Sequence, residues 1–437
     1  MRVLIIDQDR VGLDFALRCA AAGHDVRWFL YAKKPSRDGE GFKRIQMVDD
    51  WRPHMKWAKD GLIICTHNGK YIREIDRYWE FGYKIFGPTP RSAELEIKRS
   101  VGMEAMQAVG IDVPPYHTFA SLEEALKFAW KAQDPFVFKT MGDEEDKSLS
   151  FVPHDPGELA GWIQSKINAG MKLKGPCMLQ EKIEMLAEVG VSGWFGPDGF
   201  LPEKWQICFE HKKLMDYEVG PNTGEMGSVT QYCKTDKLAA ETLLPMEPIL
   251  RVLGHRGDFA IGAGVDTKGR IWPFEFTARL GYPAFYIQTA SHKGDPAQWM
   301  RDLLDGEDTL KVSRDAAIGV LMAQPPFPYD QDVRVNPIGG LDDVSEDDIH
   351  LVSALMERGP VWEVGKIVEK PIVKTANDYV LVATSLGKTV EQAREKVYGV
   401  IDQIKFPDAI YRHDIGLKVQ KVLPDLHDFG FALDLEA

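Results

Sequence analysis

The chain contains few cysteines and no paired cysteine motif. Its 437 residues include five, all far apart, namely Cys19, Cys65, Cys177, Cys208 and Cys233. Their odd number and the lack of a CxxC motif argue against a disulfide framework and against a structural zinc site. Unpaired thiols are typical of a reducing compartment, so we expect a cytoplasmic protein.

Long apolar runs are also missing. No stretch approaches the roughly 18 apolar residues that a transmembrane helix needs, so we expect no membrane association. The first apolar run ends at Asp7 after only a few residues, and we therefore expect no signal peptide.

Positive charge is in deficit. The chain has 53 Lys and Arg residues against 66 Asp and Glu residues, which gives a net charge of −13. Nucleic-acid backbones require clustered cations, so direct nucleic-acid binding is not expected. A buried cationic pocket for a small phosphate remains compatible with this charge. We expect small-molecule substrates and a monomer or a homodimer.

Glycine is scarce at the first strand–helix turn. Residues 1–90 alternate short apolar runs with helical segments, beginning with a strand at Arg2–Ile6, and this alternation predicts a parallel, doubly wound sheet. A dinucleotide site at the first turn would require the pattern GxGxxG. The turn from Asp7 to Gly12 contains one glycine, which excludes an NAD site of that type.

The rest of the sequence predicts a mixture of helices and strands. At about 150 residues per domain, the whole chain corresponds to roughly three domains. Residues 91–125 are expected to be helical with a break at Val113-Pro114-Pro115, and Ser121 opens a helix through a capping box. A proline-rich stretch at residues 325–332 indicates a domain boundary. Further predicted elements are strands at Phe136–Lys139, Pro176–Glu181, Glu188–Phe195, Val361–Val368 and Tyr379–Ala383, a hairpin of Ile261–Val265 with Ile271–Phe276, and a helix at Thr389–Ile404.

Two charged residues lie in apolar strands. Lys139 closes a buried strand, and Glu275 lies within the aromatic run Trp272–Phe276. A lysine that reaches the surface, or a glutamate bonded to Arg279, would explain each one separately. Opposite charges at the ends of two buried strands also fit a site for nucleotide phosphate and magnesium.

A glycine-rich segment is the strongest local signal. It follows His211-Lys212-Lys213 and Asp216 and reads Gly220-Pro221-Asn222-Thr223-Gly224-Glu225-Met226-Gly227. Such a turn brings backbone N–H groups and short polar side chains close to a ligand.

At these residues the chain resembles glycinamide ribonucleotide synthetase (phosphoribosylamine–glycine ligase), a family of the ATP-grasp superfamily. The resemblance runs through nearly the whole chain in order and spacing. Its motifs are Phe86-Gly87-Pro88-Thr89, Leu95-Glu96, Val113-Pro114, Lys139, the segment from His211 to Gly227, Phe274-Glu275-Phe276, Arg279-Leu280-Gly281 and Tyr411–Gly416.

The resemblance implies an ATP-grasp fold of mixed α/β and α+β architecture. It divides the chain into a doubly wound N-terminal domain (1–98), an ATP-grasp subdomain with a lid loop (99–190), a catalytic subdomain (191–325) and a small C-terminal domain (326–437). The implied activity uses ATP with Mg²⁺, or Mn²⁺, and belongs to purine biosynthesis. Glycine is activated as an acyl phosphate, and the amine of phosphoribosylamine then displaces the phosphate.

The resemblance also implies roles for individual residues. The implied catalytic residues are Asp216, Asn222 and Arg279. The implied nucleotide-binding residues are Arg99, Lys139, Lys147, Glu181, Ile183 and Glu188. The implied metal ligands are Glu275 and Thr277.

Several positions depart from the family pattern. The lid, glycine-rich in the family, here contains four acids at 143–146 before Lys147, and these acids repel a triphosphate. The second metal ligand, an asparagine in the family, is Thr277. Two acids of the family are replaced by Tyr282 and Ala284, and the glycine-rich first turn is missing at residues 8–12.

These departures lie at both substrate ends, whereas Lys139, Glu188 and Glu275 are kept. We therefore predict an ATP-dependent carboxylate–amine ligase of the phosphoribosylamine–glycine ligase type. Two alternatives remain open. One is a divergent ligase with a different amine and carboxylate, for example in nucleotide modification or secondary metabolism. The other is a non-catalytic relative that binds a nucleotide.

Overall fold

The structure is a computed structural model that describes residues 1–8, 10–32, 36–141, 150–329 and 334–437. The predicted acidic lid, with Lys147, lies outside these residues. No helix in the described part of the chain is long and apolar enough to cross a membrane.

The N-terminal part is a five-stranded sheet in which all neighbouring strands are parallel, in the order β3-β2-β1-β4-β5. Both faces of this sheet are covered, which explains why β1 is a continuous apolar run. The predicted doubly wound sheet is confirmed. Its elements are β1 (Arg2–Asp7), α1 (Gly12–Ala21), β2 (Asp25–Leu30), β3 (Gln46–Met47), α2 (Met55–Ala58), β4 (Leu62–Cys65), α3 (Ile72–Asp76), β5 (Ile85–Phe86) and α4 (Pro90–Ile97).

A small three-stranded antiparallel sheet with two covering helices follows, in the strand order β6-β8-β7. The elements of residues 99–181 are α5 (Arg99–Ala108), which packs on the large sheet described next, and β6 (Tyr116–Phe119), α6 (Leu122–Ala129), β7 (Phe136–Thr140), α7 (Pro156–Asn168) and β8 (Cys177–Glu181). Ser121 caps α6 as predicted, because its side chain accepts a hydrogen bond from the backbone N–H of Glu124. The helical expectation for 91–125 was wrong at β6, where the preceding Pro114-Pro115 favours extended backbone.

The largest unit is a nine-stranded sheet whose main path runs β16-β15-β9-β11-β14-β19-β23-β20, with antiparallel neighbours. The elements up to β19 are β9 (Met185–Gly196), β10 (Gly199–Phe200), β11 (Trp205–Glu210), β12 (Lys213–Met215), β13 (Val219–Asn222), β14 (Gly227–Cys233), α8 (Lys237–Leu253), β15 (Gly257–Asp266), β16 (Ile271–Thr277), α9 (Ala284–Ser291), β17 (His292–Lys293), α10 (Gln298–Leu303), β18 (Lys311–Val312) and β19 (Ala316–Ala323).

The C-terminal elements are β20 (Ile349–Leu351), β21 (Ala354–Glu363), β22 (Lys366–Thr375), β23 (Tyr379–Gly387), α11 (Val390–Ile401) and α12 (Leu417–Asp428). Of these, β20 and β23 continue the same sheet, whereas β21 and β22 form a separate two-stranded antiparallel sheet. The single strand predicted at Val361–Val368 was wrong, since a hairpin turn at Val364 and Gly365 divides it into β21 and β22, and both turn residues have positive φ. Strands β19 and β23 pair with each other. The division at residues 98, 190 and 325 stays a prediction.

The two faces of the large sheet differ. Alternate residues of β9, such as Ala187, Val189 and Val191, enter a core formed with α5, α8, α11 and α12. Because successive side chains point to opposite faces of a strand, Glu188 lies on the other face. The same alternation places Cys208 and Glu210 of β11 there, so Glu188 and Glu210 share this second face.

Candidate functional site

The candidate site lies where the small sheet meets one edge of the large sheet. Lys139 is on β7, and its Nζ lies 5.5 Å from the ring centroid of Phe274 on β16. The same Nζ donates a hydrogen bond to Oε1 of Gln180 on β8, at 2.6 Å. Lys139 and the strand β16, which carries Glu275, therefore face each other across a cleft.

Burial lowers the pKa of Lys139 to about 7, and the nearby Arg99 guanidinium contributes to this shift. The carboxylates of Glu275 and Glu188 act in the opposite direction. The ammonium group is thus held where its charge is costly unless an anion joins it. A phosphate oxygen would be such an anion.

Glu275 and Glu188 project from the same face of the large sheet. Glu188 on β9 pairs with Gly264, and Glu275 on β16 pairs with Gly262, so one strand with two glycines separates the carboxylates. Two strand spacings correspond to about 10 Å. The surface over Gly262 is open, whereas the side chains of Met185 and Phe274 cover Gly264.

Arg99 begins α5 and reaches the same cleft. Its Nη2 lies 3.8 Å from Oε2 of Glu275, and the arginine side chain is only 10% exposed whereas the glutamate is 42% exposed. Burial lowers the pKa of Arg99, and Glu275 opposes this effect. The structure therefore brings together four of the predicted residues, namely Arg99, Lys139, Glu188 and Glu275.

Lys212 is a cation that sequence reasoning did not assign to the site. Its Nζ lies 3.0 Å from Oε2 of Glu210. Glu210 is the main cause that raises the pKa of Lys212 above its ordinary value, and Glu275 and Glu188 also contribute. The sequence run His211-Lys212-Lys213 indicated a cation near the site. The run alone does not show which of the two lysine side chains faces the cleft.

Glu225 is a second residue to which the sequence analysis assigned no role in the site. It is buried in the glycine-rich segment and accepts a hydrogen bond from the hydroxyl of Ser228. Burial, and then the charge of Glu210, raise the pKa of this carboxyl to about 8. The charged groups around Lys212 and the glycine-rich segment are thus electrostatically linked through Glu210.

The segment that joins the two sheets carries Glu181 and Ile183. Glu181 is exposed at the end of β8, and its backbone N–H donates to the carbonyl of Pro115 at 2.8 Å. Ile183 is half-buried in the connection to β9. Both lie between the sheets, and their contacts with a nucleotide stay predictions.

The predicted metal ligands are neighbours on one strand. Glu275 and Thr277 alternate with the core residue Phe276, so their side chains leave β16 on the same face. Within the described ranges, no group of three His, Cys, Asp or Glu side chains is arranged to hold a metal ion. Magnesium commonly uses one or two carboxylates plus substrate phosphates, and a half-exposed Glu275 fits that type of site.

Arg279 connects the cleft to the N-terminal sheet. Its Nε donates to Oε1 of Glu96 at 3.1 Å, and Oε2 of Glu96 accepts from the backbone N–H of Ala278 and from Nδ2 of Asn68, each at 2.8 Å. Glu96 belongs to the motif Leu95-Glu96, and in the structure it holds Arg279 and the backbone of Ala278 in place. Arg279 is therefore held rigidly three residues from the turn at Tyr282.

Asp216 and Asn222 lie on or beside a separate hairpin formed by β12 and β13. Asp216 accepts hydrogen bonds from the backbone N–H and Nδ1 of His413, at 2.7 and 3.1 Å. Asn222 is exposed and pairs with Lys213. Asp216 is thus hydrogen-bonded to the C-terminal segment, and the catalytic roles of both residues stay predictions.

With this geometry, the fold is of the ATP-grasp class: two sheets enclose a charged cleft, next to a doubly wound N-terminal domain. A crystal structure of phosphoribosylamine–glycine ligase from Thermotoga maritima superposes with a TM-score of 0.69 and 21% identity, covering 95% of this chain and 100% of that chain. This match concerns the fold.

The sequence comparisons point to one family of ligases within that class. Residues 317–418 match the family described as phosphoribosylglycinamide synthetase, C domain. The phosphoribosylamine–glycine ligase of Ralstonia nicotianae is 28% identical over 78% of this chain and 80% of its own length. That of Halalkalibacterium halodurans is 26% identical over 90% of this chain and 94% of its own length. The predicted resemblance and the predicted ligase class are confirmed.

Proposed function

We propose that this chain joins a carboxylic acid to an amine at the expense of ATP, as an ATP-grasp ligase of the phosphoribosylamine–glycine ligase type. The observation that carries the proposal is the convergence of Arg99, Lys139, Glu188 and Glu275 between two sheets. These four residues come from four different elements, so their meeting is a property of the tertiary structure.

The chemistry explains the need for this charge pattern. A carboxylate is a poor acyl donor until one of its oxygens carries a phosphoryl group. Lys139, Lys212 and Arg99 are placed to neutralise the phosphates of the nucleotide. Glu188 would accept hydrogen bonds from the ribose hydroxyls, and the segment with Glu181 and Ile183 would line the adenine.

Glu275 and Thr277 are the residues that would hold a divalent ion, Mg²⁺ or Mn²⁺, together with phosphate oxygens. A bound magnesium supplies charge neutralisation of the phosphates and fixes their orientation. Arg279 would orient the carboxylate that is activated, since Glu96 holds its guanidinium in place. Lys147 would contribute from the lid.

The first test separates the ligase from a nucleotide-binding relative without activity. Hydroxylamine is a small acceptor that converts an acyl phosphate into a hydroxamate, so it reports activation of the acid whatever the natural amine. We expect ATP- and Mg²⁺-dependent hydroxamate from glycine or another acid in a panel of amino and carboxylic acids. Mg-ATP should also raise the melting temperature, because a ligand of the folded state stabilises it.

Glu275→Gln should lower the hydroxamate rate more than tenfold, since it removes the charge of a metal ligand. Glu241→Gln is the matched control, because Glu241 is an exposed residue of α8 outside the cleft. A melting shift without hydroxamate from any acid would identify a non-catalytic nucleotide-binding protein. Equal rates for Glu275→Gln and the wild type would contradict the metal assignment.

A further inference from the structure

A second candidate site lies at the carboxyl ends of β1 and β4. The strand order β3-β2-β1-β4-β5 places β2 and β3 on one side of β1 and β4 and β5 on the other. In open α/β sheets a ligand crevice forms where the strand order reverses in this way. Asn68, which follows β4, binds Glu96 and thereby reaches Arg279, so this crevice adjoins the candidate acyl-activation site.

The anion-binding position of this crevice is already filled from within the protein. A helix N-terminus offers free N–H groups to an anion, and here the N–H of Gly12, the first residue of α1, donates to Oδ2 of Asp7 at 2.7 Å. The same oxygen accepts from Nε1 of Trp28 at 3.1 Å, and Oδ1 accepts from the hydroxyl of Thr66 at 3.0 Å. Asp7 is fully buried, so a substrate phosphate at this position would face a fixed carboxylate.

The cation of the turn is also neutralised. Nε of Arg10 lies 2.9 Å from Oδ2 of Asp38, whose side chain is fully buried and also accepts from Ser36 and Ser353. Burial alone would lower the pKa of Arg10, but Asp38 and, more weakly, Asp378 raise it overall. Around the described part of this turn, the carboxylates of Asp7, Asp38 and Asp378 accompany Arg10, and exposed Lys70 lies over the rings of Tyr31 and Tyr71. These described groups together carry a net negative charge.

Aromatic rings line the side of the crevice nearest to Arg279. Tyr282 and Tyr379 are half-buried and meet edge to face with centroids 5.2 Å apart, and Phe327 packs on Tyr379 at 4.7 Å. The hydroxyl of Tyr286 donates to the carbonyl of Arg10 at 2.7 Å, which fixes the turn against α9. Two residues separate Tyr282 from Arg279 in the chain, so their Cα atoms are at most about 11 Å apart.

We propose that this crevice is the acceptor pocket and that it takes an amine that has no phosphate group and presents a flat apolar group to Tyr282 and Tyr379. Negative local charge attracts a protonated amine and repels a phosphate dianion. The faces of tyrosine rings bind both cations and flat apolar groups. The inference rests on the proposed ligase function and specifies its second substrate.

In the transfer step, the neutral amine nitrogen attacks the carbonyl carbon of the acyl phosphate. A C–N bond forms, the C–O bond to phosphate breaks, and the proton of the nitrogen leaves with the phosphate product. No group on the acceptor other than the amine takes part. A phosphate on the acceptor therefore matters only for binding, which can be measured without turnover.

The test is calorimetric binding to the full chain in the presence of Mg-ADP, with phenethylamine and ribose 5-phosphate as probes. We expect phenethylamine to bind at least tenfold more tightly than ribose 5-phosphate. Tyr282→Ala should weaken phenethylamine at least tenfold, and Tyr282→Phe should restore the affinity. Trp130→Ala is the control, since Trp130 is 71% exposed on the outer side of the small sheet's helices. Tyr379→Leu gives a second pocket variant, should Tyr282→Ala fail to fold.

Tighter binding of ribose 5-phosphate, or unchanged phenethylamine binding in a folded pocket variant, would overturn the inference. Hydroxamate formation distinguishes this failure from failure of the proposed function. If hydroxamate forms and ribose 5-phosphate binds more tightly than phenethylamine, the chain is a ligase whose acceptor amine carries a phosphate. Phenethylamine binding that depends on Tyr282, without hydroxamate from any acid, supports the pocket and refutes the ligase. In turnover, ribosylamine should exceed phosphoribosylamine in kcat/KM.

Discussion

Lys139 is the residue whose chemistry depends most on its surroundings. An ordinary lysine is charged at neutral pH, but burial and the Arg99 guanidinium lower the pKa of Lys139 to about 7. About half of the molecules without ligand are therefore neutral at this position near pH 7. A bound triphosphate brings negative charge to the cleft and moves the pKa back towards its usual value.

Nucleotide binding should therefore take up close to one proton between about pH 7.5 and 9. Calorimetry in buffers with different ionisation enthalpies measures this uptake directly. The affinity should fall as the pH rises above about 7, by up to tenfold per pH unit, because the charged lysine must be regenerated. Lys139→Met should abolish the uptake, whereas Lys131→Met, at an exposed position, should keep it. Equal uptake in both variants would contradict this role of Lys139.

The hairpin of β12 and β13 is held in place by one buried side chain from the C-terminal segment. Arg412 is 1% exposed and donates to both carboxylate oxygens of Asp414, to Glu218 and to the carbonyl of Lys213, at 2.8 to 3.0 Å. Asp414 also accepts from the backbone N–H of Tyr217 at 2.8 Å. The motif at 411–416 thus acts as a clamp for an element almost 200 residues earlier.

Arg412→Lys should loosen this hairpin, since a lysine cannot reproduce the two-pronged contact with Asp414. We expect a loss of about 1–3 kcal/mol of stability and faster hydrogen exchange at residues 213–222. The ligase rate should decrease more than the affinity for nucleotide, because Asp216 and Asn222 lie on or beside the hairpin and not beside Lys139. Arg358→Lys on the exposed strand β21 serves as the control. Unchanged exchange at 213–222 would show that other contacts hold the hairpin.

The N-terminal domain is joined to the large sheet by a buried polar network. His350 on β20 contacts Asp14 of α1 through Nδ1 at 2.8 Å and Thr384 of β23 through Nε2 at 3.0 Å. Arg18 binds the same carboxylate at 2.7 Å and the carbonyl of Ile349 at 2.9 Å. Residues more than 330 positions apart therefore share one network, which couples the unfolding of the two parts.

Burial lowers the pKa of His350 in the folded protein, although Asp14 opposes this shift. Since the unfolded chain binds a proton at this histidine more readily, its contribution to stability is present above about pH 6.5 and is lost as the pH falls below it. His350→Asn should therefore make the melting temperature less dependent on pH between about 7 and 5. His413→Asn, at a side chain that is 67% exposed, is the control. An identical pH dependence in wild type and His350→Asn would refute this account.

Local patterns in the sequence predicted much of the fold. The alternation of apolar strands and helices in the first 90 residues, the capped helix after Ser121 and the hairpin before Glu275 are all confirmed. Local sequence patterns failed at β6, where the preceding prolines favour extended backbone over the predicted helix. They also failed at Val364-Gly365, where a turn with positive φ divides the predicted strand. Lys147 and the acidic lid lie outside the described residues, and their roles stay predictions.

The order of motifs along the chain was enough to indicate the family and the ligase class, because each motif is a short run of neighbouring residues. Only the tertiary structure decided which charges meet. The pKa of Lys139 depends on Arg99 and Glu275, and the buried position of Asp7 depends on Trp28 and Thr66. These partners are distant in sequence and their spacing carries no local period. No short sequence pattern encodes how deeply a carboxylate is buried or which distant charges surround it. These two properties determine whether the carboxylate binds a ligand or itself occupies the position that a ligand would take.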